Sequence, residues 1–215
     1  MEKKKYLIED IMRTLFLLCG TVSVAFVVVI SIYLIFSGTP AINKIGLIDF
    51  LFGKVWSAGS SQFGILPFIL TSVYGTAGAV VLGVPVGIMT AVFLSKAAPK
   101  KLAFAVHSAV ALLAGIPSVV YGLVGMTVLV PFVQKTFALS SGACLLSAII
   151  VLTIMILPYV INVSETALNA VPKEYEEASL ALGATKTETW FKISLNAAKS
   201  GVLSSVIQGV GRAVG

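Results

Sequence analysis

Chemistry in this chain of 215 residues is confined to a few polar side chains set in an apolar background. Glu174, Glu176, Glu177 and Glu188 all fall within residues 171–199 (VPKEYEEASLALGATKTETWFKISLNAAK), with Lys173, Lys186, Lys192 and Lys199 among them. Two further residues stand alone in apolar sequence. Arg212 lies in SGVLSSVIQGVGRAVG; if that helix starts near Gly201 at a membrane face, the arginine sits about 16 Å deep, near the bilayer midplane. A charge at that depth costs at least about 2.5–3.5 kcal/mol, so it should face the bundle interior. It marks either a path for an anion or an ion pair with an acid elsewhere. His107, the sole histidine, reads either as a proton relay or as an interfacial side chain that pairs locally. Cys19 and Cys144 lie in apolar runs and read as small buried hydrophobes rather than a disulfide or metal ligands. No G-x-x-x-x-G-K-[ST] occurs, because Gly53-Lys54 is followed by valine; without a loop to cradle its phosphates the chain cannot hydrolyse ATP itself. Nor is there an H-E-x-x-H, a nucleophile elbow or a Cys/His cluster, so an embedded enzyme is a poor fit.

The elements that must position these residues are apolar spans. The chain is 58% hydrophobic and 11% charged, with a mean hydropathy of +1.02. A soluble domain carries about 25% charged residues, so the composition is that of an all-α polytopic membrane protein. A basic leader (1–13) precedes a first span at 14–37, which Gly38, Thr39 and Pro40 are predicted to end. An external loop covers 38–64, and the remainder, 65–215, forms a transmembrane core. Within it the spans are roughly 66–94, 103–130 (interrupted by Gly115-Ile116-Pro117 and by Pro131) and 143–163, with a fifth apolar helix from Gly201. The first run is too long for a signal peptide and lacks a cleavage site. Prolines 67, 85, 117, 131 and 158 predict kinked or broken helices, a weak pointer to transport. Gly75, Ala79, Gly83, Gly87 and Ala91 recur every four residues, a row of small side chains that lets helix backbones approach closely.

Charge distribution sets orientation. With the N-terminus in the cytoplasm, eleven basic residues lie inside, in the leader, the 96–101 turn and the loop 164–200; Lys44, Lys54 and Lys135 lie outside. The bias accounts for the net charge of +6 with no call for nucleic acid. The polar island is therefore cytoplasmic. Pro172 suits the first turn of a helix, Gly183 ends that helix in the left-handed region, and Thr185 with Glu188 has capping-box spacing for a second helix. That second helix carries Trp190, Phe191, Ile193 and Leu195. Such a hairpin is either a docking surface for another protein or a connector resting on lipid headgroups.

The island also carries a resemblance. Glu177-Ala178-Ser179, then Gly183, then Ile193-Ser194-Leu195 match the EAA signature of ABC-transporter permeases (E-A-A, glycine, I-x-L-P) in order and spacing. Ser179 replaces the second alanine, and Asn196 stands where proline is usual. The segments FLFGKVW (50–56), FGILPFI (63–69), GVPVGIMTAVFLS (83–95), AGIPSVVYGLVG (114–125) and GVGRAVG (209–215) extend the match over nearly the whole chain. Together they resemble the phosphate-specific ABC permeases, PstC more than PstA. The resemblance implies a type I, MetI-like importer permease with about five of six spans present, the glutamate of GxGRAxGET falling just beyond Gly215 in what looks like a C-terminally truncated chain. It implies that Glu177, Ala178, Ser179, Gly183, Ile193 and Leu195 couple to an ATP-binding cassette subunit and that Arg212 lines the translocation path. It further implies a multi-pass protein of the cell membrane, a second, PstA-like permease, an external phosphate-binding protein, and no cofactor in this chain, ATP and Mg being bound by the partner subunits. Another oxyanion permease (molybdate or sulfate) would share the hairpin; a secondary carrier or channel would share the kinks but have no use for an EAA spacing.

Overall fold

An uncharged run from Thr14 to Asn43 offers a helix no reason to stop, and in the computed structural model α1 extends from Glu2 to Ile45, 44 residues without interruption. The structure describes the backbone of residues 2–214 and the side chains of residues 9–214; the side chains of Lys3, Lys4 and Lys5, which make the leader basic, and the whole of Gly215 lie outside the described residues. No boundary separates leader from span. Gly38-Thr39-Pro40 does not end the span either, since Pro40 lies inside the helix. One proline removes a single helix bond, and the apolar turns on either side hold; Thr39 Oγ1 donates to Ile35 O at 2.6 Å just before it. The true stop is Gly46, at φ 91°, where a side chain would be strained. The described side chains of α1, from residue 9 onward, are almost all exposed. Cys19 is among them, so it is exposed and free rather than buried.

The predicted external loop is largely structured. After α2 (Leu47–Phe52), strands β1 (Trp56–Ser57) and β2 (Gln62–Phe63) pair antiparallel, Trp56 opposite Phe63. The backbones of Gly53 and Gly64 cross so closely that a Cβ on Gly53 would lie 2.7 Å from Gly64 Cα. Gly64 N donates to Val55 O and Ile65 N to Phe50 O. The rings of Phe63 and Phe68 meet Trp56 edge-on at 5.4 and 5.6 Å. FLFGKVW and FGILP are thus two halves of one small unit, residues 1–68 with the first helix.

Residues 69–215 form the second unit. Helix α3 (Leu66–Val92) ends in a π-helical turn, Phe93–Ala97. α4 (Lys100–Gly115) breaks at Ile116-Pro117, where both residues are extended, before α5 (Ser118–Val124). A second π-turn, Gly125–Leu129, carries the chain into α6 (Val130–Thr136). The break at 116–117 is as the sequence suggests, but Pro131 interrupts nothing: it sits in the first turn after the π-turn, where a missing N–H is tolerated. Pro85 in α3 and Pro158 in α7 (Leu145–Asn169) are likewise accommodated within their helices. The polar hairpin follows as α8 (Lys173–Ala181), α9 (Lys186–Glu188), a π-turn (Thr189–Ser194) and α10 (Leu195–Ala197), and α11 runs from Lys199 to Val214. Among the described residues, four helical stretches are long and apolar enough to cross a membrane: 9–45, 66–97, 118–136 and 145–169. Helix α11 has 16 described residues. Among the described residues the fold is mostly helical, with one two-stranded ladder.

Helix α7 organises this unit. Lipid supplies no hydrophobic drive between helices, so close fit must hold them, and small residues permit it. The predicted row on α3 is buried at every position. Gly83 faces Ile156 and Gly87 faces Val160; a Cβ at either would come within 3 Å of those side chains. Helix α11 repeats the device with Gly201 against Ala167, buried Ser205, and Gly209 against Val160. Ala79, Ile156 and Ala213 meet in one buried cluster, one residue from each helix. The traverse from α4 to α6 runs antiparallel along α7, with His107 beside Glu165, Val110 against Ile161, and Gly125 against Val151.

Candidate functional site: a polar hairpin and an arginine in an apolar helix

The hairpin forms as its residues require. Pro172 stands just before α8, its carbonyl accepting from Tyr175 N, Glu174 and Glu176 lie in the first turn where the helix dipole favours acids, and Gly183 leaves the helix at φ 85°. The second helix opens on a complete capping box: Glu188 N donates to Thr185 Oγ1, and Glu188 Oε2 accepts from Thr185 N at 3.1 Å. The Thr185 N–H, then its hydroxyl, then Lys192 hold the Glu188 carboxyl down to a pKa of about 2. Ser179 and Thr189 hydroxyls, 2.9 Å apart, join the two helices.

The hairpin is fixed to the spans by polar bonds absent from the sequence pattern. Lys96, at the end of α3, pairs with Glu176 at 2.6 Å, the two side chains only 12% and 21% exposed. Ser194 Oγ donates to the same Glu176 oxygen at 2.9 Å. Lys96 Nζ also donates to Leu168 O, and Ser95 Oγ to Asn169 Oδ1 at 2.7 Å. Burial pushes the Glu176 carboxyl up, but the hydrogen bonds from Lys96 and Ser194, with the charges of Lys96 and Lys173, outweigh it and hold it below its ordinary value. Apolar contact completes the attachment: Trp190 and Leu195 pack against a buried cluster of Ala91, Val92, Leu168, Ala198 and Val202.

The predicted site residues divide accordingly. Ser179 and Leu195 face inward and build the hairpin or seat it. Glu177, Ala178, Gly183 and Ile193 are exposed, as are Phe191 and Leu182, the last 90% exposed. Glu177 also lines a recess of about 360 Å³ with Lys173, Leu180 and Trp190. Arg212 stands apart, thirteen residues along α11 from Lys199, or about 20 Å. Its guanidinium lies over the Tyr159 ring of α7, 5.0 Å from the centroid, and no acid is paired with it among the described residues.

His107 finds a local partner. Its Nε2 lies 3.0 Å from Oε1 of Glu165, a residue 7% exposed. Sequence reasoning passed over Glu165, although it is the one acid between Asp49 and Glu174, and an isolated acid in an apolar run is itself the signal. It also missed the pairing of Lys96 with Glu176 and of Tyr159 with Arg212, since these partners are distant in sequence.

The family model described as binding-protein-dependent transport system inner membrane component matches residues 83–215. The probable ABC transporter permease protein YqgH of Bacillus subtilis is 37% identical over 92% of this chain and 65% of its own length. The phosphate transport system permease protein PstC of Mesorhizobium japonicum is 32% identical, over 84% of this chain and 61% of that protein. The probable PstC of Methanocaldococcus jannaschii is also 32% identical, over 90% and 67%. The chain thus spans a little under two thirds of the first two relatives. Among solved structures, the MetNI methionine ABC transporter in an inward-facing conformation superposes with a TM-score of 0.50 at 23% identity, covering 69% of each chain. That likeness is one of fold.

Proposed function

The chain belongs to the family of binding-protein-dependent transport system inner membrane components, and from that premise we propose that it is the membrane-spanning permease subunit of an ATP-driven phosphate importer. The observation that carries the reading is the hairpin. It is closed by Gly183 and the Thr185–Glu188 capping box, bolted to the spans through Lys96–Glu176, and leaves Glu177, Ala178 and Ile193 exposed. A polar hairpin so rigidly attached, with apolar side chains left outside, suits a socket in another protein. In this reading the socket belongs to an ATP-binding cassette subunit, which holds the ATP and Mg that this chain has no loop to bind. The names of the relatives from Mesorhizobium and Methanocaldococcus support phosphate as the cargo.

The N-terminus is cytoplasmic, by the bias of basic residues toward the leader, the 96–101 turn and the hairpin. The second half of the path comes from a PstA-like permease, and an external phosphate-binding protein delivers the anion. Closure of the ATP-binding subunits moves the hairpin, and the spans reorient about an anion held near Arg212. Purification of the protein in detergent, with whatever subunits accompany it, tests this. ATPase activity should rise with the phosphate-loaded binding protein. Stimulation by sulfate or molybdate instead would move the cargo to another oxyanion, and a protein purified with no ATP-binding partner would leave a secondary carrier as the better reading.

A further inference from the structure

We propose that Lys96, Glu176 and Ser194 form a transmission strut, positioning residues that make α3 follow the hairpin during each transport cycle. The inference rests on the permease reading above. The hairpin's two chain ends join it to α7 at Ala170-Val171 and to α11 at Ala198-Lys199, so those helices follow it through covalent bonds. Helix α3 has no such connection, yet its small-residue row forms one wall of the packed unit. Its polar link to the hairpin is Lys96.

The local geometry is built for that link. The π-turn at Phe93–Ala97 inserts a wide turn at the end of α3, which changes the direction of the side chains that follow; such turns are frequent where a helix serves a function. From it Lys96 reaches both the Leu168 carbonyl, at the C-terminal end of α7 where the dipole favours a cation, and Glu176 in α8. Glu176 in turn accepts from Ser194 in the second helix of the hairpin, through the oxygen that meets Lys96. One lysine therefore joins three elements, and one carboxylate oxygen joins both arms of the hairpin to it. Ser95 on Asn169 sets a second bond alongside. Ser194 is fully buried and the ion pair mostly shielded, so water competes poorly for these bonds. A surface pair resting on the hairpin would have neither property.

The experiment uses the purified complete complex in proteoliposomes, comparing wild type, Glu176→Gln, Lys96→Met and the exchanged pair Lys96→Glu/Glu176→Lys. Assembly with the ATP-binding subunit, thermal midpoint, ATPase rate and phosphate transported per ATP are read in parallel. Both single variants should retain the ATP-binding subunit and hydrolyse ATP, while transport per ATP falls between about two- and thirtyfold, the range a coupling link carries. The exchanged pair should recover part of that loss. Unchanged transport per ATP in both single variants would overturn the strut, as would losses that only parallel assembly or thermal midpoint. If a single variant fails to assemble, recovery of transport per ATP in the exchanged pair sustains the proposal, and its absence overturns it. A wild-type complex whose ATPase ignores the loaded binding protein would instead refute the permease reading, and the strut with it.

Discussion

Replacing Gly87 by alanine tests how α3, α7 and α11 are held together. Val160 is fully buried, with Gly87 of α3 against its Cγ1 and Gly209 of α11 against its Cγ2. A Cβ at 87 would lie 2.6 Å from Cγ1 and 2.9 Å from Val160 Cβ, whereas carbon atoms rest at about 3.5–4.0 Å. The overlap approaches about 1 Å, and it falls on a β-branched side chain with little rotamer freedom. Overpacking of this kind costs about 1–3 kcal/mol. For a chain of this size that lowers the thermal midpoint by roughly 2–12 °C, read in detergent by loss of the monodisperse species. At Gly209 the added carbon would be 3.1 Å from Cγ2, so Gly209→Ala should cost less than Gly87→Ala. Val160→Ala removes both methyls, and the double variant Gly87→Ala/Val160→Ala should be more stable than the sum of the single effects by about 0.5–3 kcal/mol. If Gly87→Ala melts with wild type, or if the two substitutions simply add, close packing of α3 on α7 is not what holds the unit.

Gly183→Ala places a side chain at φ 85° and should cost about 1–2 kcal/mol, with faster proteolysis between Leu182 and Lys186; Gly183→Asn should lose less, and an alanine variant as resistant as wild type would refute the left-handed stop. The Glu188 carboxylate has its pKa lowered from 4.5 to about 2, so the stability it adds is complete above 4.5 and disappears as pH falls through about 2. Amide protection at the start of the second hairpin helix should decline over that interval in wild type and stay flat in Glu188→Gln; matching profiles would refute the cap. Arg212→Ala should abolish phosphate uptake while the complex still assembles, and normal uptake would remove Arg212 from the anion path.

What could be read from sequence was short in range. Gly183, Thr185 with Glu188, and the row from Gly75 to Ala91 each declare themselves within a turn or two, and each stands in the structure as spaced. At Ile116-Pro117 both residues are extended and the helix breaks, whereas Pro40, Pro85 and Pro158 each remove one bond and are absorbed within their helices. The ties that locate the site are long in range: Lys96 finds Glu176 across 80 residues of sequence, and His107 finds Glu165 across 58. No periodicity encodes such a pairing. Composition still points to it, because a lone acid or lysine at the edge of an apolar span must find a partner or water.

The distribution of those ties has a mechanical consequence. Lys96–Glu176, Ser95–Asn169, His107–Glu165 and the buried Ser164–Ser205 hydrogen bond crowd the end of α7 nearest the hairpin. Along the first half of α7, Ile149, Leu152 and Ile156 instead enter the spaces left by Gly78, Gly75 and Gly83 of α3. A hydrogen bond or ion pair fixes register, because it fails within an ångström of misplacement. An aliphatic side chain against a glycine groove fixes separation but leaves neighbouring positions closer in energy. The unit is therefore pinned where the hairpin enters it and smoother toward the start of α7. A displacement of the hairpin passes into α3, α7 and α11 together at the pinned end. Relative adjustment between these helices is concentrated at the other, and Arg212 on Tyr159 stands between the two, within two turns of α7 from the pinned end.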